Sequence, residues 1–283
     1  MLQRIAPALF VILWSSGFVG AKYGLPYAPP LHFLSLRYAC VVVVAAVLAM
    51  FARASWPRDR RTLGHIAFSG LLIQAGYLGG VFVAIHAGLS AGVTALVVGM
   101  QPLLTATLAG RWLGESVSRG QWTGLALGFA GVALVASQRA AGGISIASLT
   151  PALFALAAIT IGTLWQKRHA PQFDLRSGAV IQFGASLLAT LPIALLAEHE
   201  PVVWSPHFLF ALAWLVFVLS IGAIGLLNIL LREGSAVNVA RLFYLTPPTT
   251  ALMAWLVFDE RLSAVAICGM AIAALGVWLA RSR

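Results

Sequence analysis

Charge is scarce in this sequence, and acidic charge most of all. Of the 283 residues only 9% are charged, with 8 Asp and Glu against 18 Lys and Arg. A soluble globular domain carries about 25% charged residues, so this composition excludes an ordinary soluble fold. Hydrophobic residues make up 60% of the chain and its mean hydropathy is +0.93, which places the protein in a lipid bilayer.

Cysteine and phosphate-binding motifs are scarce as well. Cys40 and Cys268 both lie within apolar segments, so neither a disulfide framework nor a metal site is predicted. The sequence contains no G-x-x-x-x-G-K-[ST] loop, which leaves ATP-driven pumping without support, and no cofactor is expected. The net charge of +10 sits in short loops between apolar segments, so no nucleic-acid binding is predicted.

Long apolar segments account for nearly the whole chain. Each is close to the ~20 residues that a helix needs to cross the hydrocarbon core, and such runs leave no room for the alternation of a membrane β-barrel. We therefore predict an all-α membrane protein with ten transmembrane helices, the first of which is not a cleaved signal peptide. The predicted helices cover residues 4–22, 31–52, 63–86, 90–113, 119–137, 148–167, 177–197, 207–231, 235–258 and 262–280.

The chain repeats itself after 145 residues without a gap. Equivalent positions carry the same residue at Ser90 and Ser235, Pro102 and Pro247, Glu115 and Glu260, Gly124 and Gly269, and Gly131 and Gly276. We predict two repeats of five helices each, in residues 1–140 and 146–283. Because five is an odd number, the second repeat crosses the membrane inverted. This arrangement is typical of secondary transporters that use alternating access around a midplane site.

Positive charge is distributed unevenly between the two sides of such a bundle. Thirteen Lys and Arg fall on the side that holds both termini, three fall on the other side, and Arg37 and Arg241 lie within helices. Cytoplasmic loops carry the excess of Lys and Arg. Both termini are therefore predicted to be cytoplasmic, in a multi-pass protein of the bacterial inner membrane.

Several short motifs occur in the same order in both repeats. They are Leu13-Trp14-Ser15-Ser16-Gly17 leading to Lys22, then Arg37, Pro102, Leu113-Gly114-Glu115, Gly124 and Gly131, followed in the second repeat by Gly162, Lys167, Pro247, Glu260, Gly269 and Gly276. Along its whole length the chain resembles the drug/metabolite transporter superfamily, specifically its ten-helix members with two EamA-type repeats, and is most similar to amino-acid exporters of the YddG type. The resemblance implies export of amino acids or similar metabolites from the cytoplasm. Ile159 replaces Trp14, and Gln182 replaces Arg37, at the equivalent positions of the second repeat, so the central site is expected to be asymmetric.

Polar and aromatic residues near the middle of the predicted helices are candidates for lining the substrate cavity, because lipid-facing positions do not need hydrogen-bonding groups. About ten residues inward at 1.5 Å per residue, the candidates are Trp14, Ser15, Ser16, Gln74, Tyr77, Leu78, Gln101, Trp165, Asn228, Tyr244 and Thr246. An aromatic wall with a few amide and hydroxyl groups suits a zwitterion with an apolar side chain. Helix packing is the alternative for each residue, and for Trp165 an anchor at the membrane interface.

Prolines and arginines within helices are the candidates for hinges and gates. Pro102, Pro247 and Pro248 are expected to kink their helices in mid-span and to act as hinges, with a static kink as the alternative. Arg37 and Arg241 lie about two turns inside their helices, where each is a candidate to contact a substrate carboxylate or to gate its half. The alternative, also for Lys22, is that the side chain reaches the nearer interface.

The acidic residues bear on energy coupling. All 8 fall in loops or at helix ends, whereas coupling to protons or sodium ions usually requires an ionisable group within the membrane path. Facilitated diffusion is therefore favoured, with His86 as a candidate proton relay whose alternative is a plain interfacial side chain. Glu115 and Glu260 are predicted to stabilise the helix that each precedes.

Two further patterns have mainly structural interpretations. Gly120, Gly124 and Gly128 form a small-residue stripe that predicts close helix packing, within the bundle or in a homodimer, so the protein is predicted to be a monomer or a homodimer. The segment 88–92 matches G-x-S-x-G, but it joins two helices and Ser90 suits a helix N-cap, so no enzyme is predicted.

The sequence as a whole predicts an exporter of small molecules. Aromatic or other neutral amino acids, or related metabolites, are the expected substrates. A transporter of another metabolite or drug is the closest alternative, and a channel or an intramembrane serine hydrolase is more remote.

Overall fold

The computed structural model describes residues 2–105, 108, 118–136, 145–170, 172–223, 226, 230, 242–243, 245–260 and 263–279. In this part of the chain all regular secondary structure is helical and no strand is present, which confirms the predicted all-α class. Its helices are α1 Leu2–Gly24, α2 Pro30–Phe51, α3 Arg60–His86, α4 Ala91–Val98, α5 Arg119–Ala136, α6 Ile146–His169, α7 Leu175–Ala197, α8 Pro206–Ala223, α9 Thr246–Phe258 and α10 Ala264–Leu279.

Within these described residues, six helices are long and apolar enough to cross a membrane. They are α1, α2, α3, α6, α7 and α8, and each has a mean hydropathy of at least 1.5 over its most apolar stretch. The protein is therefore a helical membrane protein. Side chains just before the first residue cap the N-termini of several helices. At α3 the carboxylate of Asp59 accepts hydrogen bonds from the backbone N–H groups of Thr62 and Arg61. These bonds hold the pKa of the Asp59 carboxyl below its usual range.

Two of the membrane helices contain a π-helical segment that the sequence did not predict. In α3 it covers Leu71–Leu78 and in α8 it covers Trp214–Ala223. The first segment, moved by the 145-residue repeat, falls on residues 216–223, inside the second. Such π-helical turns inside α-helices occur frequently at functional sites because they rotate the following side chains relative to a regular helix.

The helices expected to kink at prolines are interrupted right beside them. α4 ends at Val98, Gly99 and Met100 form a turn, and Pro102 belongs to the helical residues 101–105 that follow. Pro247 and Pro248 lie in the first turn of α9. Each proline thus lies in a first helical turn just after an interruption of the helix, where a missing backbone N–H group costs no helical hydrogen bond. The expected break of the helix is present next to each proline, and its action as a hinge stays a prediction.

Small residues bring α5 and α10 into close contact. A Cβ atom at Gly276 would lie 2.6 Å from the Gly124 carbonyl oxygen, and one at Gly131 would clash with the Gly269 carbonyl oxygen. The two contacts are equivalent in the repeat, because Gly276 corresponds to Gly131 and Gly269 corresponds to Gly124. A Cβ atom at Gly120 would likewise lie 2.8 Å from the Leu279 carbonyl oxygen. The glycine stripe therefore packs inside the bundle.

Loops meet at both ends of the helices. At one end, called here the Glu198 end (residues 22–32, 198–207 and 258–260), Glu198 accepts from the backbone N–H groups of Leu31 and His32 at 2.9 Å. At the other, called the Asp174 end (residues 52–59, 165–170 and 172–177), Ser177 Oγ donates to the Ser55 carbonyl oxygen at 2.6 Å. Each end thus joins a loop of the first half to a loop of the second.

Candidate functional site

A central cavity of about 460 Å³ lies among α1, α2, α3, α6, α7 and α8. Pockets of about 300 to 1,000 Å³ hold small organic ligands. The residues that line it are Trp14, Gly17, Phe18, Arg37, Ile73, Gln74, Tyr77, Leu78, Val81, Phe82, Ile159, Thr163, Gln166, Phe173, Leu175, Ala179, Gln182, Phe183 and Leu219. A cavity of about 40 Å³ shares Trp14, Phe18, Tyr77 and Ile159 with it, so the two adjoin.

Several of the residues predicted from the sequence meet at these cavities. Trp14, Arg37, Gln74, Tyr77 and Leu78 line the central cavity. The smaller cavity is also lined by Gln101, Pro102 and Thr246. Gln101 Nε2 donates to Thr105 Oγ1 at 3.0 Å and to Thr163 Oγ1 at 3.5 Å, which connects residues 101–105 to α6.

Ser15 and Ser16 lie outside both sets of lining residues, although they follow Trp14 directly. Ser15 is fully buried and its Oγ donates to the Thr246 carbonyl oxygen at 3.4 Å, which links α1 to α9. Ser16 Oγ accepts from Trp214 Nε1 at 2.9 Å, which links α1 to α8. Both hydroxyl groups therefore hold α1 in position behind the cavity wall.

Trp165 also lies outside the cavity. Its ring packs against Phe68 and His169, with ring centroids 4.7 and 4.2 Å apart, and His65 completes an aromatic cluster near the Asp174 end. Pro247 and Pro248 line a separate apolar groove of about 680 Å³ between α4, α9 and α10. Asn228, Tyr244 and Arg241, together with Glu115, are outside the described residues.

Arg37 is the charged group of the central cavity. It is the eighth residue of α2, its side chain is only 3% exposed, and its Nη2 donates to Ser220 Oγ at 3.1 Å. Ser220 belongs to the π-helical segment of α8 and donates in turn to the Leu215 carbonyl oxygen. This segment therefore provides the hydroxyl group that orients the guanidinium.

The π-helical segment of α3 forms the facing part of the wall. Tyr38 Oη donates to the Gln74 carbonyl oxygen at 2.7 Å, and the ring of Tyr38 packs on Phe183 at 5.7 Å. Because a π-helical turn leaves backbone carbonyl groups without their usual helical donor, the buried phenol stabilises it. Gln74, Tyr77 and Leu78 then face the cavity.

The sequence prediction missed several second-repeat residues that line the central cavity. Thr163, Gln166 and Gln182 line the cavity, and Gln182 Nε2 donates to Gln166 Oε1 at 2.8 Å and to Ser69 Oγ at 3.0 Å. The signal that identifies such residues is the repeat itself. Four pairs of lining residues are exactly one repeat apart: Trp14 and Ile159, Phe18 and Thr163, Arg37 and Gln182, and Gln74 and Leu219.

Contacts between the two halves join the loops at the Glu198 end. Lys22 Nζ forms an ion pair with Glu260 and lies 5.0 Å from the ring centroid of Phe258. Tyr27 stacks on His207 with ring centroids 5.7 Å apart. Glu260 was expected to stabilise the start of the next helix, but Ser263 Oγ accepts from the Ala266 N–H group there. The ion pair was not predicted, since its partners are far apart in sequence.

The G-x-S-x-G segment is a turn between two helices. Ser90 Oγ accepts from the Val93 N–H group at 3.2 Å and caps α4, as predicted. His86 is the last residue of α3 and is exposed to the surroundings. The strand-to-helix turn on which the hydrolase motif depends is not formed at this position.

An all-helical membrane chain whose helices enclose a cavity with aromatic walls and a few polar groups has the architecture of a transport protein. The family model described as the EamA-like transporter family matches residues 5–137 and again residues 147–282. The chain belongs to this family. The two matches together cover nearly all of it.

Curated relatives agree with this assignment. An uncharacterized transporter from Bacillus subtilis, YvbV, is 26% identical over 278 residues, covering 98% of this chain and 90% of the relative. A probable amino-acid metabolite efflux pump from Escherichia coli is 28% identical over 282 residues, covering 96% and 92%. A crystal structure without a functional description superposes with a TM-score of 0.66 at 19% identity, covering 98% of this chain and 95% of that one, and supports the fold alone.

Proposed function

We propose that this protein exports neutral amino acids, aromatic ones among them, or related small metabolites across the bacterial inner membrane by alternating access. The observation that carries the proposal is the central cavity, because equivalent positions of both repeats line it. A site shared by two repeats is exposed to either side when the halves move relative to each other. The efflux-pump relative supports the direction and the class of substrate.

The proposed architecture is ten membrane helices in two inverted repeats, residues 1–140 and 146–283. Contacts at the two ends support the inversion. Ser55 lies at the Asp174 end, where its N–H group donates to Asp174 at 3.3 Å. Val203 lies at the Glu198 end, where its N–H group donates to the Tyr27 carbonyl oxygen at 2.7 Å. Residues 52–59 and their repeat equivalents 197–204 are thus found at opposite ends.

The proposed orientation has both termini and the Asp174 end in the cytoplasm. The excess of Lys and Arg predicted for the cytoplasmic side includes Arg53, Arg58, Arg60 and Arg61, which are close to the Asp174 end in the chain. The cavity extends to Phe173 and Leu175 at this end. Together with the contacts that join the two halves at the Glu198 end, this supports loading of an export substrate from the cytoplasm.

We further propose that Trp14, Gln74, Tyr77 and Leu78 contact the substrate, with Gln101 and Thr246 at the adjoining smaller cavity. The turn at Gly99 and Met100, followed by Pro102, is the proposed hinge beside it. No acidic residue is among the described residues that line either cavity. This supports facilitated diffusion without a coupled proton.

Exchange across proteoliposomes tests the proposed function. Vesicles with purified protein and internal unlabelled L-phenylalanine should take up external labelled L-phenylalanine faster than empty vesicles, and uptake should saturate. Protein-free vesicles are the control. Linear uptake without trans-stimulation would indicate a channel instead, and trans-stimulated exchange of only a non-amino-acid metabolite or drug would favour that substrate.

A further inference from the structure

Arg37 is a buried cation in the wall of the central cavity without an anionic partner in the part of the chain that the structure describes. A guanidinium carries five N–H donors. One of its nitrogens donates to Ser220 Oγ at 3.1 Å, and the buried Nε has no acceptor there. The described residues therefore satisfy little of its hydrogen-bonding capacity.

A buried charge is costly unless a counter-charge accompanies it. The acidic residues seen in ion pairs have partners other than Arg37. Glu260 pairs with Lys22, Glu198 lies 2.9 Å from His32, and Asp174 lies 3.6 Å from Arg176. Because none of the residues given above as lining the cavity is acidic, an anion that enters the cavity is the natural counter-charge.

Gln182, the equivalent of Arg37 in the second repeat, differs from it in having two hydrogen-bond acceptors for its single donor group. Gln182 also lines the cavity, but its amide donates to Gln166 at 2.8 Å and to Ser69 at 3.0 Å. The protein therefore satisfies this neutral group. Of these two equivalent positions in the wall, one carries a cation with unused donors and the other carries an amide that is already paired.

We propose that Arg37 binds a carboxylate of the transported molecule, so that the cavity selects acids and zwitterions over amines without an acid group. This rests on the proposed function, since the carboxylate belongs to the substrate. An arginine fork binds a carboxylate through short charge-assisted hydrogen bonds. Trp14 and Phe18 in the same wall provide apolar surface for the rest of the molecule.

Four related probes test the role of the acid group. Thermal stabilisation of the purified full chain is measured with L-phenylalanine, 3-phenylpropionate, L-phenylalaninamide and phenethylamine. The two carboxylates should bind at least about tenfold more tightly than the two amines. Stabilisation by L-phenylalanine alone among the acids would mean that the site also needs the ammonium group and takes zwitterions. Stabilisation by both acids would mean that the carboxylate suffices.

Variants assign the effect to one residue. Arg37→Gln, which copies the amide of the second repeat, should abolish the preference for carboxylates, and Arg37→Lys should retain part of it. Arg58→Gln, in an exposed loop, is the matched control and should behave as the unchanged protein. If Arg37→Gln does not fold, the ranking of the four probes on the unchanged protein still decides.

The outcomes separate this proposal from the proposed function. Equal binding of L-phenylalanine and L-phenylalaninamide, or stabilisation by neither acid, would overturn the role of Arg37. Amino-acid exchange that Arg37→Gln leaves unchanged would refute it while the export function stands. Carboxylate binding that requires Arg37, in a protein that exchanges no amino acid, would leave the carboxylate site in place and refute amino-acid export.

Discussion

Lys22 Nζ pairs with the Glu260 carboxylate and thereby joins the end of α1 to the connection between α9 and α10 at the Glu198 end. The two residues belong to different repeats. Their repeat equivalents are Lys167 and Glu115, so the sequence contains the same two charges in the opposite arrangement. In the proposed inverted arrangement of the repeats, these equivalent charges belong to the opposite end of the bundle.

We expect Lys22→Gln to loosen the Glu198 end. The two side chains are 29% and 17% exposed, and ion pairs of this kind contribute up to about 1 kcal/mol, which corresponds to a change of about fivefold in the equilibrium between closed and open forms. Leu25, 6% exposed and about one turn from Lys22, is the reporter position. Its replacement by Cys, in a protein without Cys40 and Cys268, should react faster with a maleimide when Lys22→Gln is added.

The exchanged pair, Lys22→Glu with Glu260→Lys, is the control for this effect. It restores opposite charges at the same two positions, so labelling should return toward the original rate. Equal labelling rates in the presence and absence of Lys22→Gln would show that the ion pair does not hold this end closed.

Trp14→Ala and Tyr77→Ala should each lower exchange by about tenfold or more, because a large aromatic contact with the substrate is lost. Trp165→Ala is the matched control, since its ring packs in the cluster with Phe68 and His169 outside the cavity. Exchange is measured in proteoliposomes after the amount of folded protein has been equalised. An effect of Trp165→Ala as large as that of Trp14→Ala would contradict the assignment of the cavity as the substrate site.

Gly276→Ala should destabilise the protein by about 1 to 3 kcal/mol, because the added Cβ atom forces α10 away from α5 in a closely packed core. That atom would lie 2.6 Å from the Gly124 carbonyl oxygen. Gly64→Ala in α3 is the control, since a Cβ atom there meets nothing within 4 Å and alanine favours the helix. Thermal unfolding in detergent should show a lower midpoint for the first variant alone. Equal midpoints would show that α5 and α10 separate easily.

Collapse of the pH gradient should leave exchange unchanged. No acidic residue is found among the described residues of the cavity walls, so no carboxyl group is placed there to carry a proton. His86→Gln should likewise have no effect, since His86 is exposed at the end of α3. Ionophores that remove the gradient provide the measurement. Loss of exchange on their addition, together with loss in His86→Gln, would restore His86 as a proton relay.

Several residues of the candidate site could be predicted from the sequence alone. Counting residues along an apolar helix locates their depth in the membrane, and depth alone identified Trp14, Gln74 and Tyr77. Depth does not tell which way a side chain points when a helix is apolar on all sides. For this reason Ser15 and Ser16, next to Trp14, were predicted for the cavity but contact α8 and α9 instead.

The sequence by itself determined the membrane location, the helical class and the internal repeat. These follow from hydropathy summed over about 20 residues and from residue identity at equivalent positions, neither of which needs knowledge of contacts. Only the tertiary structure decided that α3 and α8 contain π-helical segments, that Arg37 meets Ser220, and that Lys22 meets Glu260. Each of these depends on the rotation and packing of helices distant in the chain, which local sequence patterns do not encode.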